Sequence, residues 1–485
     1  MTTSSDAVHD VAVVGAGPAG TAAAVVAGES GARVVLIDSG QRPGGQYYQR
    51  PVGQGLGPRV HHAWPVFDDL ERRLDALVTS GTVELQADTT VWSASGTGPF
   101  RLLLRGGERE PDRLGQLVAR TVVVATGAYD RPLPFPGWDL PGVLSGGAAQ
   151  TLVKSSGVLP GSRVVVAGTG PFLLAVSATL LEAGADVAAV VEANAPESVL
   201  LRAPALLGAW RRGGDLSRFV SLLARHRVPY LRRHRVVAAE GTAEVERAIV
   251  ARVGADWGEV PGTRRPLACD TITVGFGFAT QHELLGQLGC QLRHDIQQTV
   301  AAVVDAHQRT TTRGVLACGE TTGIGGADLA LAEGLVAGAA AARAVGLTQS
   351  PAQQRATSTA RSQVRRLRGA QAALQASFPV RDGWVHDLAD DTCVCRCEEV
   401  SAEAVRRAVT GLGATDVRTV KLLARAGMGW CQGRMCEFAV AGLCHALSGD
   451  DAIDTAPSTR PVATPVPLGS VAGLSPDRAE ATDAD

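Results

Sequence analysis

The sequence predicts an α/β chain of two Rossmann-like dinucleotide-binding domains followed by a small helical domain organised around cysteines. Three observations carry that reading. An apolar stretch at residues 10–14 runs into Gly15-Ala-Gly17-Pro18-Ala-Gly20 and an alanine-rich helix; a second strand and glycine loop open at residue 163; and five of the nine cysteines lie between Cys393 and Cys436. At 485 residues the chain has room for about three domains, and a hydrophobic content of 45% suits well-filled cores. A net charge of −2 and 4% aromatic residues argue against a nucleic-acid partner, which calls for a basic face or stacking platforms. Residues 1–10 carry Asp6, His9 and Asp10 rather than a basic leader, and the apolar run 11–27 is broken by Gly15, Gly17, Pro18 and Gly20. With this many cysteines, the expectation is a cytoplasmic protein without a transmembrane segment.

The first unit is complete. Residues 10–14 form a strand, the helix runs to about residue 28, and a second strand at 33–37 ends at Asp38, 23 residues after Gly15. A glycine loop alone is a weak signal; with an acid at this distance it is strong. Gly15 makes the turn, Gly17 lets the backbone approach a pyrophosphate, Gly20 lets helix pack on strand, and Asp38 reaches a ribose hydroxyl. Pro18 opens the helix, whose N-terminus favours phosphate. Arg42-Pro-Gly44-Gly45-Gln46 follows; its paired glycines suit close contact with a ligand, although an ordinary Pro-Gly turn reads the same way. Residues 121–125 form a buried strand ending in Thr126-Gly127.

The second unit repeats the plan less fully. A strand at 163–167 leads into Gly168-Thr-Gly170-Pro-Phe-Leu173, and the strand at 187–191 ends at Glu192. Leu173 replaces the third glycine, so helix and strand should pack more loosely there. A second adenine nucleotide held by Gly168, Gly170 and Glu192 and a degenerate unit kept for architecture are both consistent with this pattern. Residues 194–269 show no legible element, and 271–277 read as the closing strand. A further strand at 315–318 ends in Gly319-Glu320, with glycines at 323, 325 and 326 and a helix from 327 to about 345. No Cys-x-x-Cys occurs in the second unit, which disfavours a disulfide relay. Residues 350–380 read as a helical connector.

The cysteine domain holds Cys395-x-Cys397 and Cys431-x4-Cys436. This spacing suits a [2Fe–2S] cluster with two thiolates on each iron better than a zinc site. Cys393 alternates with 395 and 397, so in an extended stretch all three share a face and spacing alone leaves the choice open. Ser401 should cap a helix at 402–410, Asp416 a helix at 417–426, and Gly427 should end it. Arg396, Lys421, Arg425 and Arg434 can offset cluster charge or simply be solvated. The predicted organisation is a discontinuous dinucleotide-binding domain at 8–150 and 295–346, a second nucleotide-binding-like domain at 151–294, the connector at 347–385, the [2Fe–2S] domain at 386–448, and a proline-rich disordered tail at 449–485. The histidines are scattered and no catalytic base can be named.

In this order the motifs resemble the larger flavin and iron–sulfur subunit of the opine dehydrogenase, hydrogen cyanide synthase and dye-linked proline or hydroxyproline dehydrogenase family. The likeness runs from about residue 8 to 447, through Ala-Thr126-Gly127, Gly319-Glu320 with Thr-Gly-Ile-Gly-Gly-Ala-Asp, Cys395-Arg-Cys397-Glu-Glu and Gly-Met-Gly-x-Cys431-Gln-Gly-Arg-x-Cys436. It implies a pyridine-nucleotide-disulfide-reductase-like fold with a bacterioferritin-associated-ferredoxin-like domain. It implies FAD held by the first glycine loop, by Gly45 and Gln46, by Thr126 and Gly127, and by Gly319 and Glu320, whose acid meets the ribityl chain. It also selects Cys395, Cys397, Cys431 and Cys436 as cluster ligands. The implied partners are a glycine-oxidase-like flavoprotein subunit that oxidises the amino or imino acid and a small ferredoxin-like subunit. Two rivals stand beside this reading: a stand-alone NAD(P)H-dependent flavin and iron–sulfur reductase, and a redox-inactive assembly or sensor scaffold.

Overall fold

The computed structural model describes residues 8–51, 65–107, 109–110, 113–195, 213–448 and 463–472. The first sheet has seven strands, ordered Val83–Gln86, Val34–Ile37, His9–Val14, Leu114–Val124, Phe100–Gly106 and Thr89–Ser95, with Val315–Ala317 also paired to Leu114–Val124. The first glycine loop and the Gly319 turn therefore emerge beside one another, although nearly 300 residues of chain lie between them.

Two helices pack on this sheet at unusually short range. Pro18–Glu29 is buried over most of its length, and Ala327–Ala344 lies against it. Both are built from alanine and glycine, so backbones replace side chains at the contact. A Cβ on Gly334 would sit 2.1 Å from the Ala19 carbonyl oxygen, and one on Gly338 would sit 2.4 Å from that of Ala23. The connector helix Pro351–Ser377 starts at a capping box between Ser350 and Gln353 and sends Arg368 to the buried Glu333 at 2.8 Å.

The chain leaves the first sheet through a short strand, Ala128–Asp130, and returns along its antiparallel partner Phe278–Thr280. Between the two lies a parallel five-stranded sheet: Tyr230–Arg232, Asp186–Glu192, Arg163–Gly168, Thr271–Gly275 and Val143–Ser145. The stretch without legible elements holds all three strands of an antiparallel sheet, His234–Glu240, Arg247–Arg252 and Arg265–Ala268. Arginines at the ends of these short strands mask their apolar centres. Leu173 does not loosen the second unit. It is 1% exposed and fills the space beside Val164, Val166 and Val176, where a glycine would have let the helix approach.

The second domain and the cysteine domain share one hydrophobic core. Trp138, Trp257 and Trp384 are each 1% exposed and lie in a cluster that continues into Val394, Val405, Val420 and Leu443. No described helix is long and apolar enough to cross a membrane. The expected disorder of 449–485 needs correction within its described part, residues 463–472. Ala463 is buried against the first sheet's core, its carbonyl accepts from Arg434, and Leu468–Ala472 is helical. The proline-rich composition conceals a segment anchored by a single buried alanine and one charge-assisted hydrogen bond. The rest of that tail lies outside the described residues.

Adding one methyl group should have opposite effects at two glycines. Gly334→Ala drives a carbon into the Ala19 backbone and should cost at least the roughly 1–3 kcal/mol of an overpacked core. Gly369→Ala, in the connector helix with open space around it, should stabilise by about 0.5–1 kcal/mol. Thermal or denaturant unfolding separates the two; a Gly334→Ala protein as stable as its parent contradicts the close-packed pair.

Candidate functional site

The first glycine loop follows from the strand it leaves. Gly15 has φ 103°, and a Cβ there would lie 2.3 Å from the Ala125 carbonyl oxygen; one on Gly20 would meet the Gly15 carbonyl oxygen. These two glycines are demanded by the protein itself. Gly17 is different: a Cβ there would find only the Gly45 Cα, at 3.9 Å. Its surroundings are open to a ligand, and no side chain caps the first turn of the helix it begins, at Pro18. The Gly44 N–H donates to the Ala16 carbonyl at 2.8 Å, laying the Gly44-Gly45 pair across Gly17. Gln46 accepts from Thr151 at 3.1 Å. Asp38 accepts from the Ala16 N–H and, at 2.6 Å, from the Gly40 N–H; burial raises its carboxyl against those bonds. This open cradle, with an acid at its rim and an uncapped helix N-terminus, fits the diphosphate and ribose of a dinucleotide.

The other two flavin segments converge on it. The Thr126 hydroxyl donates to the Gln281 carbonyl at 2.7 Å, so its side chain holds the loop rather than facing outward; Gly127, φ 81°, borders open space. Gly319 packs against Ala19 and donates its N–H to Glu333 at 2.9 Å. Glu320 is half-buried in the following 3-10 turn. Glu333 escaped the sequence reading. It is 1% exposed, bonded to Gly319, Thr322 and Arg368, and its carboxyl is raised by burial against the pull of those partners. One acid inside a helix of small residues was the available signal.

At the second loop Gly168, Gly170 and Glu192 do come together, but on one another. Glu192 is fully buried and accepts at 2.8 Å from Thr169, from the Gly170 N–H and from the Asn194 N–H. Burial pushes its carboxyl up to about 7. A Cβ on Gly170 would lie 3.8 Å from Phe378, and Asn194 donates to the Pro379 carbonyl at 2.9 Å. The end of the connector thus rests on the loop where a pyrophosphate would lie.

The four thiols meet as two pairs. Cys395 and Cys436, both buried, are in hydrogen-bonding contact; that contact lowers Cys395 to about 5 and raises Cys436. Cys397 and Cys431, more exposed, are likewise in contact. Among the described residues no three His, Cys, Asp or Glu side chains are arranged as a single metal ion requires. Two adjoining thiol pairs are the donor set for two irons. Gly429 lets the loop close: a Cβ there would lie 2.3 Å from that of Cys397. The Gly427 N–H donates to the Cys395 sulfur at 3.5 Å. The Cys393 thiol borders a polar cavity instead, with Asp139, Asp391, Arg396, Glu399 and Ser401, and burial raises it to about 11. Ser401 and Asp416 cap Ala402–Thr410 and Val417–Ala424 through the N–H groups of Ala404 and Thr419. Gly427 is not the helix end. Arg425 takes the left-handed position at φ 65°, two residues earlier, and its guanidinium pairs with Glu398 at 2.9 Å.

The pyridine nucleotide-disulphide oxidoreductase family matches residues 9–334, and the BFD-like [2Fe-2S] binding domain matches 393–445. The chain is 32% identical over 440 residues to an opine oxidase subunit of Agrobacterium tumefaciens, covering 89% of this chain and 84% of that one. It is 31% identical over 425 residues to the hydrogen cyanide synthase subunit HcnB of Pseudomonas aeruginosa, covering 87% and 90%. Its fold matches the crystal structure of L-proline dehydrogenase from P. horikoshii with a TM-score of 0.65 at 21% identity, over 96% of this chain and 79% of that one.

Gly17→Val should fold normally and lose flavin, because its Cβ has no neighbour nearer than the Gly45 Cα at 3.9 Å and its branches extend into the cradle. Flavin absorbance per protein and the melting curve read this together; normal flavin content refutes the placement. Cys431→Ser should lose visible cluster absorption and iron while Cys393→Ser keeps both. Iron loss in Cys393→Ser with full iron in Cys395→Ser reverses the ligand choice.

Proposed function

This chain belongs to the pyridine nucleotide-disulphide oxidoreductase family, in the branch that holds HcnB and the opine oxidase chain, and from that premise we propose that it carries electrons for a partner subunit that oxidises an amino or imino acid. It is an FAD- and [2Fe–2S]-dependent oxidoreductase subunit of a dehydrogenase complex. FAD supplies two-electron chemistry and the cluster one-electron chemistry when bound, and a flavin is the natural converter between the two.

The observation that carries the proposal is the docking of the thiol loop on the strand that leaves the flavin turn. Arg434, between Cys431 and Cys436, pairs with Glu283 at 2.7 Å, and its guanidinium lies 5.3 Å from the Tyr129 ring, two residues after Gly127. Both sites are thus held side by side in one chain. Gly15, Gly17, Pro18, Gly20, Asp38, Gly45, Gln46, Gly127, Gly319 and Glu320 are the residues we assign to FAD. Thr126 serves it indirectly, through Gln281. Cys395, Cys397, Cys431 and Cys436 are assigned to the cluster. Gly168, Gly170 and Glu192 serve architecture in this reading, since the loop's own groups take up the fully buried Glu192 and the connector's Pro379 carbonyl accepts from Asn194. That occupancy also speaks against the NAD(P)H-reductase alternative. The partner we infer is a glycine-oxidase-like flavoprotein, with opines, proline, hydroxyproline and glycine as the substrate class. A reducing, cytoplasmic setting agrees with nine cysteines that form no disulfide.

The test is dye reduction by the purified chain with each of those substrates, with and without the co-expressed partner. Turnover is expected only with the partner, and NADH alone should leave the flavin oxidised. Rapid turnover by this chain alone, or fast bleaching by NADH, contradicts the assignment.

A further inference from the structure

Tyr129, Glu283 and Arg434 belong to three separate stretches of sequence and meet where the thiol loop touches the first domain. Tyr129 lies on Ala128–Asp130, and Glu283 follows the return strand Phe278–Thr280. Arg434 lies inside the thiol loop, and three polar contacts fix its guanidinium. Nε donates to Glu283 Oε1 at 2.7 Å, Nη1 to the Cys431 carbonyl at 3.3 Å, and Nη2 to the Ala463 carbonyl at 2.7 Å. The side chains of Arg434 and Glu283 are only 12% and 16% exposed, so the pair is poorly screened by water. Tyr129 is half-buried, and desolvation raises its hydroxyl to about 12, with the charges of Glu283, Arg434 and Cys431 all acting on it.

We propose that Arg434 and Glu283 are positioning residues of opposite sign that set the reduction potential of the thiolate-bound cluster, with the Tyr129 ring lying against the pair. This rests on the reading that Cys395, Cys397, Cys431 and Cys436 hold a [2Fe–2S] cluster. Reduction brings in one electron and adds one unit of negative charge at the four thiolates, with no bond made or broken in the protein. The fixed guanidinium favours that added charge. The carboxylate beside it opposes it. The other nearby ions act differently. Arg425 pairs with Glu398 but is 71% exposed, where solvent weakens its field. Lys421 faces Glu437, and Arg396 lies 4.1 Å over the Trp138 ring.

The sign of the effect separates this role from a structural one. In the full-length protein, with dithionite as reductant and EPR of the reduced cluster as readout, Arg434→Gln should lower the midpoint potential and Glu283→Gln should raise it. Each change should be about tenfold in the reduction equilibrium, or ~59 mV for one electron. Arg434→Lys, which keeps the charge, should stay near the parent, and Arg425→Gln should shift far less. A purely structural pair would move both single variants in the same direction, or neither. Either result, with iron and flavin content retained, overturns the proposal. If Arg434→Gln fails to hold iron, the upward shift is read from Glu283→Gln against the parent and the charge-conserving Arg434→Lys, and an unshifted Glu283→Gln overturns it equally. Parent protein purified anaerobically without iron removes the cluster reading itself, an outcome distinct from intact clusters with unmoved potentials.

Discussion

Thr126 donates to the Gln281 carbonyl at 2.7 Å, Gln281 donates back to the Gly127 carbonyl at 2.9 Å, and the strands beyond them pair as Ala128–Asp130 with Phe278–Thr280. The chain passes from one sheet to the other and back through this ribbon. Side chains alternate across it. Asp130 accepts from the Gly147 N–H at 2.8 Å and orients Gly146–Ser156. On the other face, Tyr129 meets Arg434, and Arg131 lies 4.2 Å over the Phe438 ring. One short strand therefore ties the flavin turn, the second domain and the thiol loop into a fixed relation. Redox groups need such fixed geometry more than they need strong binding.

Burial, rather than charge count, decides which ionic contacts matter here. Glu333 and Arg368 form a pair whose acid is 1% exposed, with Gly319 and Thr322 donating to one carboxylate oxygen and Arg368 facing the other, so removing either partner would strand a charge or a polar turn in the core. Glu192 is as deeply buried but has no cation; three donors from its own loop satisfy it, and its carboxyl rises to about 7. The same kind of acid at the same place in two repeated units thus sits at two depths, half-buried for Asp38 and fully buried for Glu192. Asp38 stands at the rim of an open cradle, whereas Glu192 is part of a closed plug.

The first glycine loop, the acid that follows it and the Gly319 turn were legible as residues at set spacings, because each obeys a local rule; spacing showed a thiol cluster, and the family resemblance selected its four ligands over Cys393. Gly15 and Gly20 are required by atoms a few residues away, and a C-x-C pair already places two sulfurs within reach of one cluster. The helix caps at Ser401 and Asp416 were legible for the same reason. Gly427 misled because a left-handed helix end favours glycine without requiring it, and Arg425 adopts it with its side chain anchored to Glu398. The antiparallel sheet at 234–268 was hidden because its strands are short and their polar ends outnumber the alternating positions.

The sequence by itself determined the fold class and the two candidate redox groups, since these depend on backbone conformation and on donor chemistry within short windows. Only the tertiary structure decided how they are combined. It placed Tyr129, Glu283 and Arg434 together across some 300 residues of chain, set Phe378 on the second loop, and joined the cysteine domain to the second domain through a core of three tryptophans. Such contacts depend on how apolar surfaces from distant elements happen to fit when buried together, and no local spacing encodes that.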